Sequence, residues 1–435
     1  MKWFLGAIAV LVLALVFRLG LLAYAMYALL GTMLMSRFLS WSWSEKLTAV
    51  RECNRLTAAV SENVAVVVTI ENHGQLPVAW LLAEDLLPRH AVIYDPPNLR
   101  VTGRRLVLAM FRRHGSRTLF YQLTCNRRGY YQIGPLVLET GDLFGLHRRY
   151  RVASEPHFLM VYPPVRPLEG FDIASRRPIG EVRMSYRLFE DPTRIAGVRR
   201  YEAGDPLNRV HWRATARTGT LHSKVYEPST VAGVTIVLDF HTRSFVSRHE
   251  PYRSELAITM AASLANAVSL MGQQLGLVTN ARDAADRIRQ EGWDFDFRSR
   301  KEAMASAGMR TASDRLRPMV IETRRGVAQF NRIRELLARA EMTDGLELPQ
   351  LIRETSSRMP RDASVVVIVT EVTSAIAVAL GNLRRQGFAV TAIVNTYEDR
   401  DYAAAAGMLL AERVEARHLR DESSVSNVCG TQLVR

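Results

Sequence analysis

The sequence predicts a multidomain α+β protein: one or more N-terminal transmembrane segments, a β-sandwich-like module, and a C-terminal α/β domain with a mostly parallel sheet. Three observations carry this prediction. The first residues are almost uninterruptedly apolar, short β-branched runs separated by turn residues follow, and the second half alternates apolar runs with amphipathic stretches. At 435 residues the chain has room for two or three domains, at roughly 100–200 residues each.

The anchor is assigned to residues 1–37. Trp3 to Phe17 carries no charge, Arg18-Leu19-Gly20 interrupts, and Leu21 to Met35 is again apolar before Ser36-Arg37 closes the run. The whole is too long for one straight crossing of the ~30 Å hydrocarbon core. Either two short helices form a hairpin turning at Arg18-Leu19-Gly20, or one tilted span uses part of the stretch. In the hairpin, Lys2 and Arg37 fall on one side, and the positive-inside rule places that side and the soluble body in the cytoplasm of an inner (plasma) membrane. Trp41 and Trp43 suit either the membrane interface or a packed core.

Residues 46–165 read as the β-rich module. Val64 to Ile70 is a β-branched run closed by the turn residues Asn72-His73-Gly74, and Val78 to Leu82, Leu106 to Phe111 and Arg117 to Leu123 have strand character. Arg128 to Pro135 reads as a strand between glycine turns, and Val161 to Pro164 leads out of the module. The number and spacing of strands fit an antiparallel sandwich of immunoglobulin-like size. No catalytic cluster is visible here.

Residues 166–227 form a linker followed by a segment rich in Arg, Asp and Trp. Gly204 permits a turn, Asp205 is a good N-cap and Pro206 a good first helical residue. The sequence therefore predicts a helix from there to Thr218-Gly219, with Arg209, Arg213 and Arg217 on one face and Leu207, Val210 and Ala214 on another. Three guanidiniums on one face need anions. Glu190, Glu202 and Asp205 would make an internal clamp; a phosphate or a partner's carboxylates would make a binding site. An enzyme acting on an anionic substrate through Asp205, His211 and the Arg face is the alternative, although no nucleophile paired with a base stands nearby.

Residues 228–420 alternate strands and helices. Strands are expected at Val234 to Asp239, Leu275 to Thr279, Ser364 to Thr370 and Phe388 to Val394. Helices are expected at Glu255 to Met271, Val327 to Ala340, Ser374 to Gln386 and Asp401 to Glu412. The charged stretch 282–318 reads as a surface insertion, and 421–435 as a tail. Ligands of such sheets bind beyond the strand C-termini, which here carry Asp239, Asn280 and Glu371. No Gly-x-x-x-x-Gly-Lys loop is present, which argues against ATP hydrolysis by this chain.

A net charge of +14 favours anionic partners, among them anionic lipid. No nucleic-acid module or basic-aromatic motif accompanies it, so nucleic acid is not expected. Cys53, Cys125 and Cys429 are far apart with no metal-ligand spacing, as suits a reducing compartment.

The run Arg200-Tyr201-Glu202-x-Gly204-Asp205-x-x-x-Arg209-x-x-Trp212-x-x-x-Ala216-Arg217, with Leu221 and Lys224 after it, resembles the signature of the bacterial domain-of-unknown-function 58 family. Arg128-Gly129-Tyr130-x-x-x-Gly134-Pro135 and Thr140-x-Asp142-x-Phe144-Gly145-Leu146 resemble two further motifs of that family, the second usually having Pro where Leu143 stands. The resemblance runs over nearly the whole chain. It implies N-terminal transmembrane helices, a β-rich region and a domain similar to von Willebrand factor type A, encoded commonly beside a MoxR-type AAA+ ATPase, with no established activity. A partner or anion site would then use Arg200, Tyr201, Gly204, Asp205, Arg209, Trp212, Arg213, Arg217 and Lys224. Von Willebrand type A domains often hold Mg²⁺ through Asp-x-Ser-x-Ser after the first strand. Here Asp239-Phe240-His241-Thr242-Arg243 lacks both serines and adds a cation, so neither metal nor cofactor is expected. The resulting expectation is a non-enzymatic, membrane-tethered adaptor working with a MoxR-type ATPase in assembly or maturation of protein complexes.

Overall fold

The structure, a computed structural model, describes residues 2–93, 96–143, 145, 147–168, 190–201, 210–228, 233–291, 316–361 and 363–428. The chain divides into two compact units, residues 1–163 with 284–313, and residues 164–283 with 314–435.

The first unit opens with an apolar helical hairpin. Helix α1 spans Lys2–Val16 and α2 Gly20–Lys46. Arg18 takes a left-handed φ of 54° in the break between them, where the sequence placed the turn. Helix α2 is long and apolar enough to cross a membrane, whereas α1 is shorter. One expectation changes here: the helix does not close at Ser36-Arg37 but runs on to Lys46. Its last turns are held by protein instead. Ser36, Ser40 and Trp43 are buried, and Trp43 belongs to the core of the β module, while Trp41 is exposed.

The module has more strands than the sequence announced. They are β1 Leu47–Cys53, β2 Thr57–Ala59, β3 Asn63–Asn72, β4 Val78–Asp85, β5 Leu99–Gly103, β6 Leu106–Phe111, β7 Ser116–Cys125, β8 Gly129–Ile133, β9 Leu136–Gly141, β10 Arg148–Ser154 and β11 His157–Tyr162. Two four-stranded antiparallel sheets, β1-β3-β7-β5 and β10-β9-β4-β6, share one core, with a three-stranded sheet β2-β11-β8 beside them. Period-two alternation builds that core: Val64, Val66, Val68 and Ile70 of β3 point in, with Leu119, Tyr121 and Leu123 of β7. Leu81 and Ala83 of β4 and Leu136 and Leu138 of β9 meet them from the second sheet.

In the second unit, a two-stranded antiparallel ribbon, β12 Glu190–Arg200 with β13 His222–Pro228, carries a short helix, α3 Trp212–Thr218, between its strands. The α/β sheet has the order β17-β15-β14-β19-β20-β21, from β14 Gly233–Leu238, β15 Gln274–Thr279, β17 Met319–Arg324, β19 Ala363–Val369, β20 Val390–Val394 and β21 Glu415–His418, while β16 Arg282–Asp283 and β18 Ala340–Glu341 pair with each other outside it. All neighbours are parallel except edge strand β17, which runs antiparallel to β15. A parallel sheet needs both faces covered. Ile236 and Leu238 accordingly face one core with helix Tyr252–Leu270, and Val237 faces the other with helices Leu348–Thr355 and Ser374–Arg385. The stretch expected to be a charged, irregular insertion contains a helix at Ala284–Glu291; residues 292–315 lie outside the described residues.

Candidate functional site

The ribbon positions the signature residues. β12 and β13 pair with Val198 opposite Lys224, Arg199 opposite Ser223 and Arg200 opposite His222. Opposed residues share a face, so Val198, Arg200, His222 and Lys224 lie on one side of the ribbon. On the other edge of β13, Val210 bridges Ser223, and His211 N–H donates to the His222 carbonyl at 2.8 Å. Val210 and Ser223 are both buried.

This pairing moves the predicted helix. Val210 is extended rather than helical, and α3 begins at Trp212, not after Asp205. The His211 Nδ1 caps it, accepting from Ala214 N–H at 3.0 Å, and Gly219 closes it with a left-handed φ of 70° and an N–H to the Thr215 carbonyl. Arg213 and Arg217 remain one turn apart on the helix, but Val210 does not share a helical face with Ala214. Gly204, Asp205 and Arg209, with Glu202, lie outside the described residues.

Helix α3 buries none of its residues. Trp212, the largest apolar side chain of the signature, is 68% exposed, and Val198 and Leu221 are exposed nearby in sequence. Arg200, Arg213 and Arg217 are exposed and Lys224 half-buried, and none of the four makes an ion pair among the described residues. Tyr201 is half-buried, its N–H donating to the Leu221 carbonyl at 2.9 Å. Helix α3 thus presents an indole and two guanidiniums, Trp212, Arg213 and Arg217, to solvent.

The other two motifs are closed inward. Gly134 has a φ of 93°, and an added Cβ would stand 2.7 Å from Arg51 Cζ. Arg51 lies there because its buried guanidinium pairs with the buried Asp85 carboxylate and donates to the Ile133 and Glu155 carbonyls at 3.1 and 2.8 Å. The Tyr121 hydroxyl donates to Asp85 Oδ2 at 2.6 Å. Burial, then the adjacent carboxylate, drives the Tyr121 hydroxyl far above its ordinary range. Asp142 of the third motif is buried, accepting from His147 N–H at 2.7 Å, while its carbonyl accepts from Trp80 Nε1 at 3.2 Å.

Sequence reading missed the contact of Cys53 with His157, Sγ to Nδ1 at 3.7 Å. Burial raises the Cys53 thiol and lowers the His157 imidazole, so each is held neutral. A thiolate nucleophile needs the opposite shift.

Asp239 ends β14 in a closed network. Its Oδ1 accepts from Asn280 Nδ2 at 2.9 Å and His241 N–H at 3.2 Å, and its Oδ2 from Ser244 Oγ at 2.6 Å. Asn280 also donates to the Leu346 carbonyl. Ser244, one residue beyond the expected pattern, was not singled out from the sequence. Glu371 is exposed at the end of β19. Among the described residues, no three His, Cys, Asp or Glu side chains converge as a metal centre would require.

The family described as protein of unknown function DUF58 matches residues 197–292, which begin in β12 and run through helix Ala284–Glu291. The uncharacterized protein YeaD of Bacillus subtilis (strain 168) is 23% identical over 354 residues, covering 79% of this chain and 85% of that protein. These matches support the resemblance to the DUF58 family. Among solved structures, the CARDB domain of a Pyrococcus furiosus protein is 11% identical, with 26% of this chain and 91% of that one covered, at a TM-score of 0.20. Proximal thread matrix protein 1 of the mussel byssus is 10% identical over 46% of this chain and 45% of that one, at a TM-score of 0.27. The DUF58 match thus spans the signature ribbon and the start of the α/β sheet.

Proposed function

We propose that this chain is a membrane-tethered docking protein whose signature ribbon receives an acidic face of a soluble partner. The observation that carries the reading is the exposure of Trp212 beside Arg213 and Arg217, with no ion pair to either arginine among the described residues. Trp and Arg dominate binding hot spots because each offers large contact area with a polar handle. A clamp would bury Trp212, which instead stands exposed. The anchor is the α1–α2 hairpin, oriented by Lys2 and Arg37 with the body in the cytoplasm. The alternating sheet with one antiparallel edge strand supports reading the second unit as similar to von Willebrand factor type A. The family resemblance points to a MoxR-type AAA+ ATPase as partner, and to assembly or maturation of protein complexes as the setting.

The test is affinity capture of the full chain from gently solubilised membranes, with and without ATP, beside a Trp212→Ala/Arg213→Gln/Arg217→Gln variant. Recovery of an AAA+ ATPase that drops by about 30-fold or more in a variant that still folds is the expected result, since hot-spot residues contribute ~2 kcal/mol or more each. Equal recovery with both chains would remove the ribbon as the contact. Turnover of an anionic substrate by the purified chain alone would replace the reading with an enzymatic one.

A further inference from the structure

The β9–β10 turn of the first unit lies beside the end of the membrane helix. Ser36 Oγ of α2 stands 2.9 Å from His147 Nδ1, and both Ser36 and Ser40 are fully buried. From Gly20 to Ser36 the helix rises roughly 24 Å at ~1.5 Å per residue, just short of the ~30 Å hydrocarbon core. With Gly20 set at one boundary, Ser36 comes within about 6 Å of the other, and His147 of the turn stands at the level of Ser36.

Hydrogen bonds hold Asp142 and His147 at the two ends of the turn, and Leu143 beside Asp142 is apolar. Asp142 N–H donates to the His147 carbonyl at 3.1 Å while its carboxylate accepts from the His147 N–H. The Asp142 carbonyl is held by Trp80, and Gly145 takes a left-handed φ of 72°. Next to the anchored Asp142, Leu143 is 64% exposed. An exposed leucine on a fixed turn gains nothing from water and gains apolar burial in an acyl layer. Cations flank it. The Arg148 side chain is 61% exposed, 3.6 Å from Glu139 and hydrogen-bonded to Tyr150, and the half-buried Arg149 makes no ion pair among the described residues. At the same level on α2, Arg37, Phe38 and Trp41 are exposed, the residue types of an interfacial belt.

We infer that the β module is seated on the bilayer by this turn. Leu143 enters the headgroup boundary, and Arg148, Arg149 and Arg37 meet anionic phospholipid headgroups. The contact fixes how the module stands on the membrane and is additional to the helical anchor, on whose membrane insertion it rests.

The full chain in nanodiscs containing phosphatidylglycerol tests this, with photoreactive benzoylphenylalanine replacing Leu143, Leu29 of α2 or Leu410 of the α/β unit in turn. Lipid adducts are expected at Leu143 and Leu29 and not at Leu410. The Leu143 yield is expected to fall about fivefold for each arginine removed in Arg148→Gln and Arg149→Gln, at ~1 kcal/mol per basic residue near an anionic surface. It should fall likewise in phosphatidylcholine alone. Adducts at Leu29 with none at Leu143 would overturn the seating and leave the anchor standing. No adducts at Leu29 would overturn the anchor itself. Cross-links from Leu143 to a copurified protein in place of lipid would also overturn the inference.

Discussion

The motifs of the β module and the motif of the ribbon treat their polar groups in opposite ways. In the module, Arg51 and Asp85 are buried together, Tyr121 completes the carboxylate, and Gly134 leaves room for the guanidinium. In the ribbon, Arg213 and Arg217 stand in solvent without ion pairs among the described residues, beside an exposed Trp212. Residue identity alone does not separate the two cases, since motifs of both regions draw on Arg or Asp together with Gly and aromatic residues. Burial does: the Arg51–Asp85 pair is sealed inside the module and serves the fold, whereas Trp212 and its neighbouring arginines stand in solvent, where a partner can reach them.

The sharpest way to break this contrast is to open the closed motif. Asp85→Ala leaves the Arg51 charge buried without its counter-ion, which costs about 3–5 kcal/mol. The module's thermal transition should fall steeply or vanish, as followed by tryptophan fluorescence through the core residue Trp43. Retained stability would mean that water enters the pair and that the motif is not sealed. Gly134→Ala should cost less, about 1–3 kcal/mol, because the new methyl both strains a left-handed backbone and displaces the guanidinium.

Much of the fold, though not this contrast, could be read from the sequence, and the reasons for the gaps are physical. The β-branched alternation of Val64 to Ile70 and the apolar run of Val365 to Val369 appear as strands because burial is written in their periodicity. Strand β9 was invisible because it is buried throughout while carrying Glu139, Thr140 and Gly141, so no alternation marks it. The extension of α2 past Arg37 was hidden because its buried face is made by Ser36 and Ser40, which read as polar. At the ribbon, Asp205-Pro206 is a strong local start signal, yet Val210 pairs with Ser223 and the helix waits for His211. That bridge holds Val210 extended, outside the helix. Exposure of Trp212 had no signal in the sequence, because an indole beside Val210 reads equally well as core.

A titration probes the closed module more gently. Burial pushes the Cys125 thiol up to about 11 from its ordinary 9.0. Between those values the unfolded chain has lost the proton that the folded chain still holds. Stability is therefore full below about pH 9 and declines as pH rises toward 11. The module's melting temperature should fall over that window, and Cys125→Ala should reduce the slope. Tyr121, whose hydroxyl is also raised, should leave a residual slope. An unchanged slope in Cys125→Ala would show that the thiol is not sealed in the core.

The smallest effect on stability is expected where function is proposed. Trp212→Ala removes a side chain that is 68% exposed, from a helix that buries none of its residues. Surface substitutions of this kind stay within about 0.5 kcal/mol, so the melting temperature should match that of the unaltered chain. Arg213→Gln and Arg217→Gln should behave likewise, since neither removes an ion pair formed among the described residues. A loss above about 2 kcal/mol, measured by chemical denaturation of the same preparation, would place these side chains among those that hold the chain together. It would turn the ribbon into a clamp like the one around Asp85. Unchanged stability with lost partner capture would instead put the cost of the exposed indole where an interface would recover it.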